Sequence, residues 1–280
     1  MTKSIHSIHQ ITSYPLDLSG VIYQEYPFLK LGVVSSVQHY AEILMPVVEE
    51  IMAANPQYTS WVLTSPPRHR LPAAANLLCW AVYEGLKNKS KIAAPISLLD
   101  LHNQREEKLS LKNAQDFNNY NDYSKYSWED RLKLKRKHNF VIKEEDFIGQ
   151  GIVFINDINV TGAGQEYIRQ IFSTVYPYEV NWVYILDCDP SVGRKEPQLE
   201  SEINNFKILT IQDFATVLAL DDISFTTKCI SKLFSYNTGE IEQILSLLNE
   251  KQKTKLWSAV VAEELYDTDF FKDKMERLRV

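Results

Sequence analysis

The sequence predicts an α/β protein: a parallel, Rossmann-like sheet followed by a helical C-terminal region. Three observations predict it. Short apolar runs near 61–64, 94–101, 152–156 and 181–187 alternate with stretches whose apolar residues recur at helical spacing. Polar residues and small-residue turns collect where those runs end, and open parallel sheets bind their ligands at the carboxyl ends of strands. From Gln212 onward the pattern is helical throughout.

Residues 1–34 are irregular, with Pro15, Gly20, Pro27 and Gly32 interrupting short apolar pieces such as Gly20–Tyr23. Extended or hairpin-like segments are expected there. Tyr40, Ile43, Leu44, Val47, Val48 and Ile51 then repeat at helical spacing, with Ser35 or Ser36 as the cap. Pro46 lies inside that pattern and predicts a kink or a late start, because an interior proline costs about 3 kcal/mol. Asn55-Pro56 closes the helix.

Ser60–Thr64 reads as a strand, followed by the loop Ser65-Pro-Pro-Arg-His-Arg-Leu-Pro72 and a helix from about 73 to 86. Ala93–Leu101 reads as a second strand. The segment 102–138 changes character: it is highly polar, holds Asn118-Asn-Tyr-Asn-Asp-Tyr in its middle, and ends in the basic run Arg131–His138. Loops of that length in compact domains are functional or disordered. The basic run reads either as a solvated helix face or as a mobile lid carrying cations.

Gly151-Ile-Val-Phe-Ile-Asn-Asp-Ile-Asn-Val-Thr-Gly-Ala-Gly164 organises the chain. Ile152–Ile155 reads as a strand buried on both faces. The polar pair Asn156–Asp157 follows, then the turn Thr161-Gly162-Ala163-Gly164, then a helix presenting Tyr167, Ile168, Ile171 and Phe172. Strand, small-residue turn and helix N-terminus together make an anion site, since unpaired amides and the helix dipole converge on it. Asp157, just before the turn, is placed to hold hydroxyls or a hydrated cation. Val180–Asp187 forms a further strand, and Asp187 and Asp189 read as cation or nucleobase contacts or as loop caps.

The stretch 152–164 resembles the phosphoribosyl-diphosphate (PRPP) motif of type I phosphoribosyltransferases. In that family four apolar residues precede two acidic ones, and a Thr-Gly turn follows. The resemblance implies that Asn156 and Asp157 take the ribose hydroxyls and that Thr161, Gly162, Ala163 and Gly164 cradle the 5′-phosphate. It also implies that the loop after the 60–64 strand binds pyrophosphate through Ser65, Arg68 and Arg70. Arg131 to Phe140 resembles the arginine-containing stretch that precedes the PRPP strand in competence-associated members. Asp157, Arg68 and Arg131 are thus the expected catalytic set, with Mg²⁺ held mainly through PRPP and no protein-built metal site. The layout is also similar to members encoded in stress-response and tellurite-resistance gene clusters.

The chain departs from the family pattern at several places. Asn156 replaces the first acid, Gly164 replaces a second Thr or Ser, and prolines replace glycine in the pyrophosphate loop. Val160 stands where 6-oxopurine transferases carry an aspartate, which disfavours hypoxanthine or guanine as acceptor. The expected activity is transfer of ribose 5-phosphate from PRPP to a nitrogen nucleophile; the alternative is a non-catalytic PRPP- or nucleotide-binding regulator on the same fold. A response regulator would need an acidic pair near the N-terminus, and the first strand lacks one.

The remaining features bound these readings. A chain of 280 residues divides into an N-terminal segment and helix (1–57), the α/β core (58–210) and the helical region (211–280). A net charge of -6 argues against nucleic-acid affinity. Three well-separated cysteines fit a reducing cytosol, no run reaches transmembrane length, and residues 1–10 lack the apolar core of a signal peptide. A cytoplasmic protein is expected. The apolar stripes of the C-terminal helices read as core packing or as the surface of a homodimer.

Overall fold

A computed structural model of the chain describes residues 4–89, 94–103, 113–114, 117, 123–136, 140, 142–143, 145, 147, 149–176 and 180–279. Five strands form one sheet: β1 (Ile5–Ile11), β2 (Ser60–Thr64), β3 (Ile96–Leu99), β4 (Gln150–Asn159) and β5 (Asn181–Cys188). Their order is β1-β5-β4-β2-β3, and every neighbouring pair is parallel. The expected α/β class is the one observed.

Alternation along the strands sends side chains to two apolar layers. Trp61, Leu63, Val153, Ile155, Val183 and Ile185 face one layer, shared with α3 (Val34–Ala54) and α4 (Ala74–Lys89) through Leu44, Val48, Leu78 and Val82. Val62, Ile152, Phe154, Trp182 and Tyr184 face the other, against Tyr167, Ile168 and Phe172 of α6 (Ala163–Phe172). Burial of each such side chain contributes about 1.5–3 kcal/mol. Both faces are covered, so these strands read as unbroken apolar runs.

The N-terminal region differs from the expectation of extended or hairpin-like pieces. β1 is extended, but as a parallel edge strand on β5. The segments after it are helical: α1 (Val21–Gln24) and α2 (Tyr26–Leu31). Pro27 lies in the first turn of α2, where its fixed φ suits the helix and its missing N–H costs nothing. Gly32 ends the helix at φ +93°, a conformation that glycine tolerates best. α3 then runs unbroken through Pro46. Its N-cap is Val33, not Ser35 or Ser36, because the backbone carbonyl of Asp222 accepts from the Val34 amide at 2.7 Å.

β4 also exceeds its expected length. Asn156, Ile158 and Asn159 remain paired with Tyr184, Leu186 and Asp187 of β5. The Asn156 amide supports the extension by bonding its own backbone, accepting from Asp157 N at 3.0 Å and donating to Ile158 O at 3.1 Å. Of the polar segment 102–138, residues 104–112, 115–116, 118–122 and 137–138 lie outside the described residues. So does the end of the basic run read as a lid, at 137 and 138. Its described end forms α5 (Trp128–Lys135), capped by Ser127. After β5 come α7 (Pro190–Gly193) and α8 (Leu199–Asn205).

The C-terminal region packs α9 (Ile211–Leu218), α10 (Thr227–Ser235), α11 (Thr238–Ser246), α12 (Glu250–Glu263) and α13 (Lys272–Leu278) around Ile230, Leu233, Phe234, Ile241, Ile244, Leu256 and Val260. Both apolar stripes read from the sequence thus contribute to this core. Reciprocal side-chain caps close three of the helix starts, at Thr210/Asp213, Asn237/Glu240 and Asn249/Gln252.

Candidate functional site

The chain leaves β2 toward β3 and leaves β4 toward β5, in opposite directions across the sheet. α4 and α6, the helices that follow, pack on opposite faces. The connections thus diverge from the carboxyl ends of β2 and β4, and such a switch point opens the crevice where ligands enter α/β sheets. The two loops flanking it are 65–73 and 160–162. β2 ends at Thr64, level with Phe154, so Asp157 stands three residues, about 10 Å, beyond that end on β4.

On the β4 side, Thr161 is buried and its hydroxyl accepts from Ala163 N at 3.4 Å. Gly162 takes φ +80° to turn the chain into α6. A Cβ on Gly162 or Gly164 would meet no atom within 4 Å, so the space above the turn is open. The first-turn amides of α6 have no helical carbonyl to donate to. An open, small-residue turn against unpaired amides suits a phosphate.

On the β2 side, Asn76 holds the loop shape. Its amide donates to Ser65 Oγ at 3.0 Å and to Pro66 O at 2.8 Å, and its Oδ1 accepts from Ala73 N at 2.7 Å. Ser65 is buried by this clamp. Arg68 is fixed by a forked pair with Asp100 (Nη2 to Oδ2 2.6 Å, Nε to Oδ1 3.1 Å), by Arg70 O at 2.7 Å and by the face of Trp80. Arg70 is 62% exposed and meets Glu264 at 3.1 Å. The C-terminal region braces the loop as well: Glu263 accepts from Leu71 N at 3.0 Å and Thr227 N donates to Pro72 O at 3.0 Å.

Asp157 is 4% exposed. Its Oδ2 accepts from Tyr26 Oη at 2.6 Å and from Lys30 Nζ at 2.7 Å, both from α2. Burial, reinforced by the adjacent carboxylate, pushes the Tyr26 phenol far above its ordinary range, so it remains a donor. Burial alone would lower the Lys30 ammonium, but Asp157 and Glu200 outweigh it and hold the group above its ordinary value.

Arg131 lies on α5, 3% exposed. It donates to Glu200 Oε2 at 2.7 Å, Ser124 O at 2.6 Å, Pro197 O at 2.9 Å and Tyr126 O at 3.0 Å. The structure therefore places it in a brace between α5 and α8 instead of on an exposed lid face. Burial pushes the nearby Lys135 ammonium below its ordinary value, opposed by Glu200 and aided by Arg131 and Lys30. Asp187 accepts from Asn159 at 2.9 Å, and Asp189 caps α7 through Ser191 N at 2.8 Å.

A family model described as PRTase ComF-like matches residues 1–278. The chain belongs to this phosphoribosyltransferase family. The match extends well beyond the stretches that carry the sequence resemblance, and takes in β1, α2 and the C-terminal helices. No curated protein and no solved structure matches the chain significantly.

Members of phosphoribosyltransferase families generally use Mg²⁺ through PRPP. Among the described residues no three His, Cys, Asp or Glu side chains converge to cage a cation. Asp157 and Asp187 are carboxylates at the ends of β4 and β5, and Lys30 compensates the first. That donor set fits a cation that keeps its waters and arrives on the ligand's phosphates. Tyr26, Lys30, Asp100 and Glu200 escape a reading of the sequence, and each partners a residue that such a reading selects. No helix among the described residues is long and apolar enough to cross a membrane.

Proposed function

We propose that the chain binds PRPP in the crevice between β2 and β4 and transfers its ribose 5-phosphate to a nitrogen nucleophile, releasing pyrophosphate. The observation that carries this reading is the β4–turn–α6 unit at the switch point, with Gly162 at φ +80° and Asp157 fixed just before the turn. Thr161 to Gly164 would hold the 5′-phosphate against the α6 amides, and Asp157 would orient the ribose hydroxyls. Asn156, whose amide is spent on its own backbone, would serve the strand geometry more than the sugar. As the C1′–O bond to pyrophosphate breaks, positive charge develops on the ribose and negative charge on the leaving group. Ser65, Arg68 and Arg70 would face the leaving group, with Arg68 held rigid by Asp100 and the exposed Arg70 supplying the adaptable contact. Bound Mg²⁺ would neutralise part of the pyrophosphate charge, with Asp157 and Asp187 as its water-bridged carboxylates. The attacking nitrogen forms its bond to C1′ and loses its proton to solvent or to the departing pyrophosphate.

A second reading, a non-catalytic PRPP or nucleotide sensor, is favoured by the ion pair between Lys30 and Asp157, which neutralises the one acid left in the motif. Incubating protein, Mg²⁺ and PRPP with a panel of nucleobases, and following pyrophosphate, separates the two. Release that depends on one base supports transfer; saturable binding without release supports the sensor; no binding sinks both.

Two variants test the phosphate turn. Gly162→Val forces a branched side chain into a left-handed conformation, at a cost of about 1–2 kcal/mol, and displaces the turn's amides. The protein should stay folded while its affinity for a phosphate monoester falls roughly ten- to hundredfold, the worth of one charge-assisted hydrogen bond. Gly164→Thr should act in the other direction. Its Cβ has open space, and a hydroxyl there adds a phosphate contact worth about 1.5–3 kcal/mol. Calorimetric titration with ribose 5-phosphate checks both; unchanged affinity in both variants removes the turn from the site.

A further inference from the structure

We propose that Tyr26 and Lys30 of α2 form the positioning pair that gives the site its preference for a ribosyl over a deoxyribosyl phosphate; the inference rests on the reading above and adds to it residues outside the motif. With Asn156 neutral and bonded to its own backbone, Asp157 is the only carboxylate of the motif able to accept from a sugar. A lone aspartate on a strand can turn through several rotamers, and each one fixed costs entropy when the ligand must do the fixing.

Here the protein fixes it in advance. Tyr26 and Lys30 are four residues apart, on one face of α2, and both donate to the same oxygen, Oδ2, at 2.6 and 2.7 Å. Oδ1 accepts no hydrogen bond from the described residues. The carboxylate is thereby aimed with one oxygen spent and one kept as an acceptor. Lys30 retains N–H donors beyond the one given to Asp157, since an ammonium has three. A hydroxyl that donates to Oδ1 and accepts from Lys30 satisfies both groups at once. A deoxy sugar leaves Oδ1 and the spare Lys30 N–H desolvated without that partner, while the Oδ2 contacts persist; sites built around a hydroxyl reject analogues lacking it in this way.

α2 is itself held from outside the motif. Lys30 O accepts from the buried Thr226 hydroxyl at 2.7 Å, and Gly32 O accepts from Ser224 N at 2.8 Å. The pair is therefore built into the rigid frame and does not depend on a loop closing.

The test measures affinities for ribose 5-phosphate and for 2-deoxyribose 5-phosphate in the wild type, Lys30→Met and Tyr26→Phe. The wild type should prefer the ribose ester by roughly a hundredfold. Lys30→Met should reduce that ratio below about threefold, and Tyr26→Phe by about tenfold, while 2-deoxyribose 5-phosphate affinity stays within about threefold. The deoxy ester reports whether the fold and the phosphate turn survive, so a merely structural role for the pair would move both affinities together. Tyr26→Phe keeps the ring and the ion pair, and supplies the answer if Lys30→Met fails to fold. A wild-type preference that persists in the folded variants overturns the inference alone. Equal wild-type affinities overturn it while leaving the phosphate turn standing. A wild type that binds neither ester overturns the proposed function, and this inference with it.

Discussion

Arg131→Met is expected to lower the stability of the protein by about 3–5 kcal/mol, the usual cost of breaking a buried ion pair from one side. The guanidinium is 3% exposed and uses three nitrogens on four acceptors: Glu200, Ser124 O, Pro197 O and Tyr126 O. Methionine fills much of the volume but leaves the Glu200 carboxylate and three carbonyls without their donor. Lysine should not rescue the loss, because a point charge cannot reach four acceptors arranged for a planar fork. Chemical denaturation would show a lower midpoint with little change in slope. The contrary reading, a cation on a mobile lid that closes over pyrophosphate, predicts a stability change within about 0.5 kcal/mol. A variant of wild-type stability that loses only PRPP affinity would refute the brace and restore Arg131 to the ligand.

The contrast at Arg131 shows where a sequence can be read and where it cannot. Leu63, Ile152, Val153, Phe154, Val183 and Ile185 announce their strands because both faces of the sheet are covered, which leaves runs with no polar alternation. β1 gives no such signal: Ile5-His-Ser-Ile-His-Gln-Ile11 is an edge strand, most of it only partly buried, so half its positions tolerate polar residues. α2 was legible in principle, since Pro27 at its start and Gly32 past its end form the usual helix punctuation; six residues are too few to show a period. The turn 161–164 is readable because its chemistry is local, a glycine at positive φ before a helix. The partners are not. Tyr26 and Lys30 lie 131 and 127 residues from Asp157, Glu200 lies 69 from Arg131, and Asp100 lies 32 from Arg68. Only the order of strands in the sheet and the packing of helices at its end bring those charges together.

Gly32→Ala should cost about 2–5 kcal/mol, more than its one added methyl suggests. Two effects combine. At φ +93° an alanine is strained by about 1–2 kcal/mol. Its Cβ would also stand 1.8 Å from Ser224 O and 2.9 Å from Ser224 C, atoms of backbone that no rotamer change can move aside. Overpacking of that kind adds about 1–3 kcal/mol where the surroundings are fixed. They are fixed here, since Ser224 N donates to Gly32 O at 2.8 Å, Val34 N to Asp222 O at 2.7 Å, and the Thr226 hydroxyl to Lys30 O at 2.7 Å. This seam joins the helical C-terminal region to the end of α2, two residues from the lysine that pairs with Asp157. Relief of the clash must therefore shift α2, and with it the Oδ2 contacts of Tyr26 and Lys30. The expected result is a large drop in the denaturation midpoint, together with a reduced ribose-over-deoxyribose preference in whatever fraction stays folded. Gly85→Ala is the control: there the added Cβ would meet the Sδ of Met45 at 2.3 Å, a flexible side chain that can turn away. Equal losses in the two variants, or no loss at Gly32, would mean that the seam yields and that the C-terminal helices do not set the position of α2.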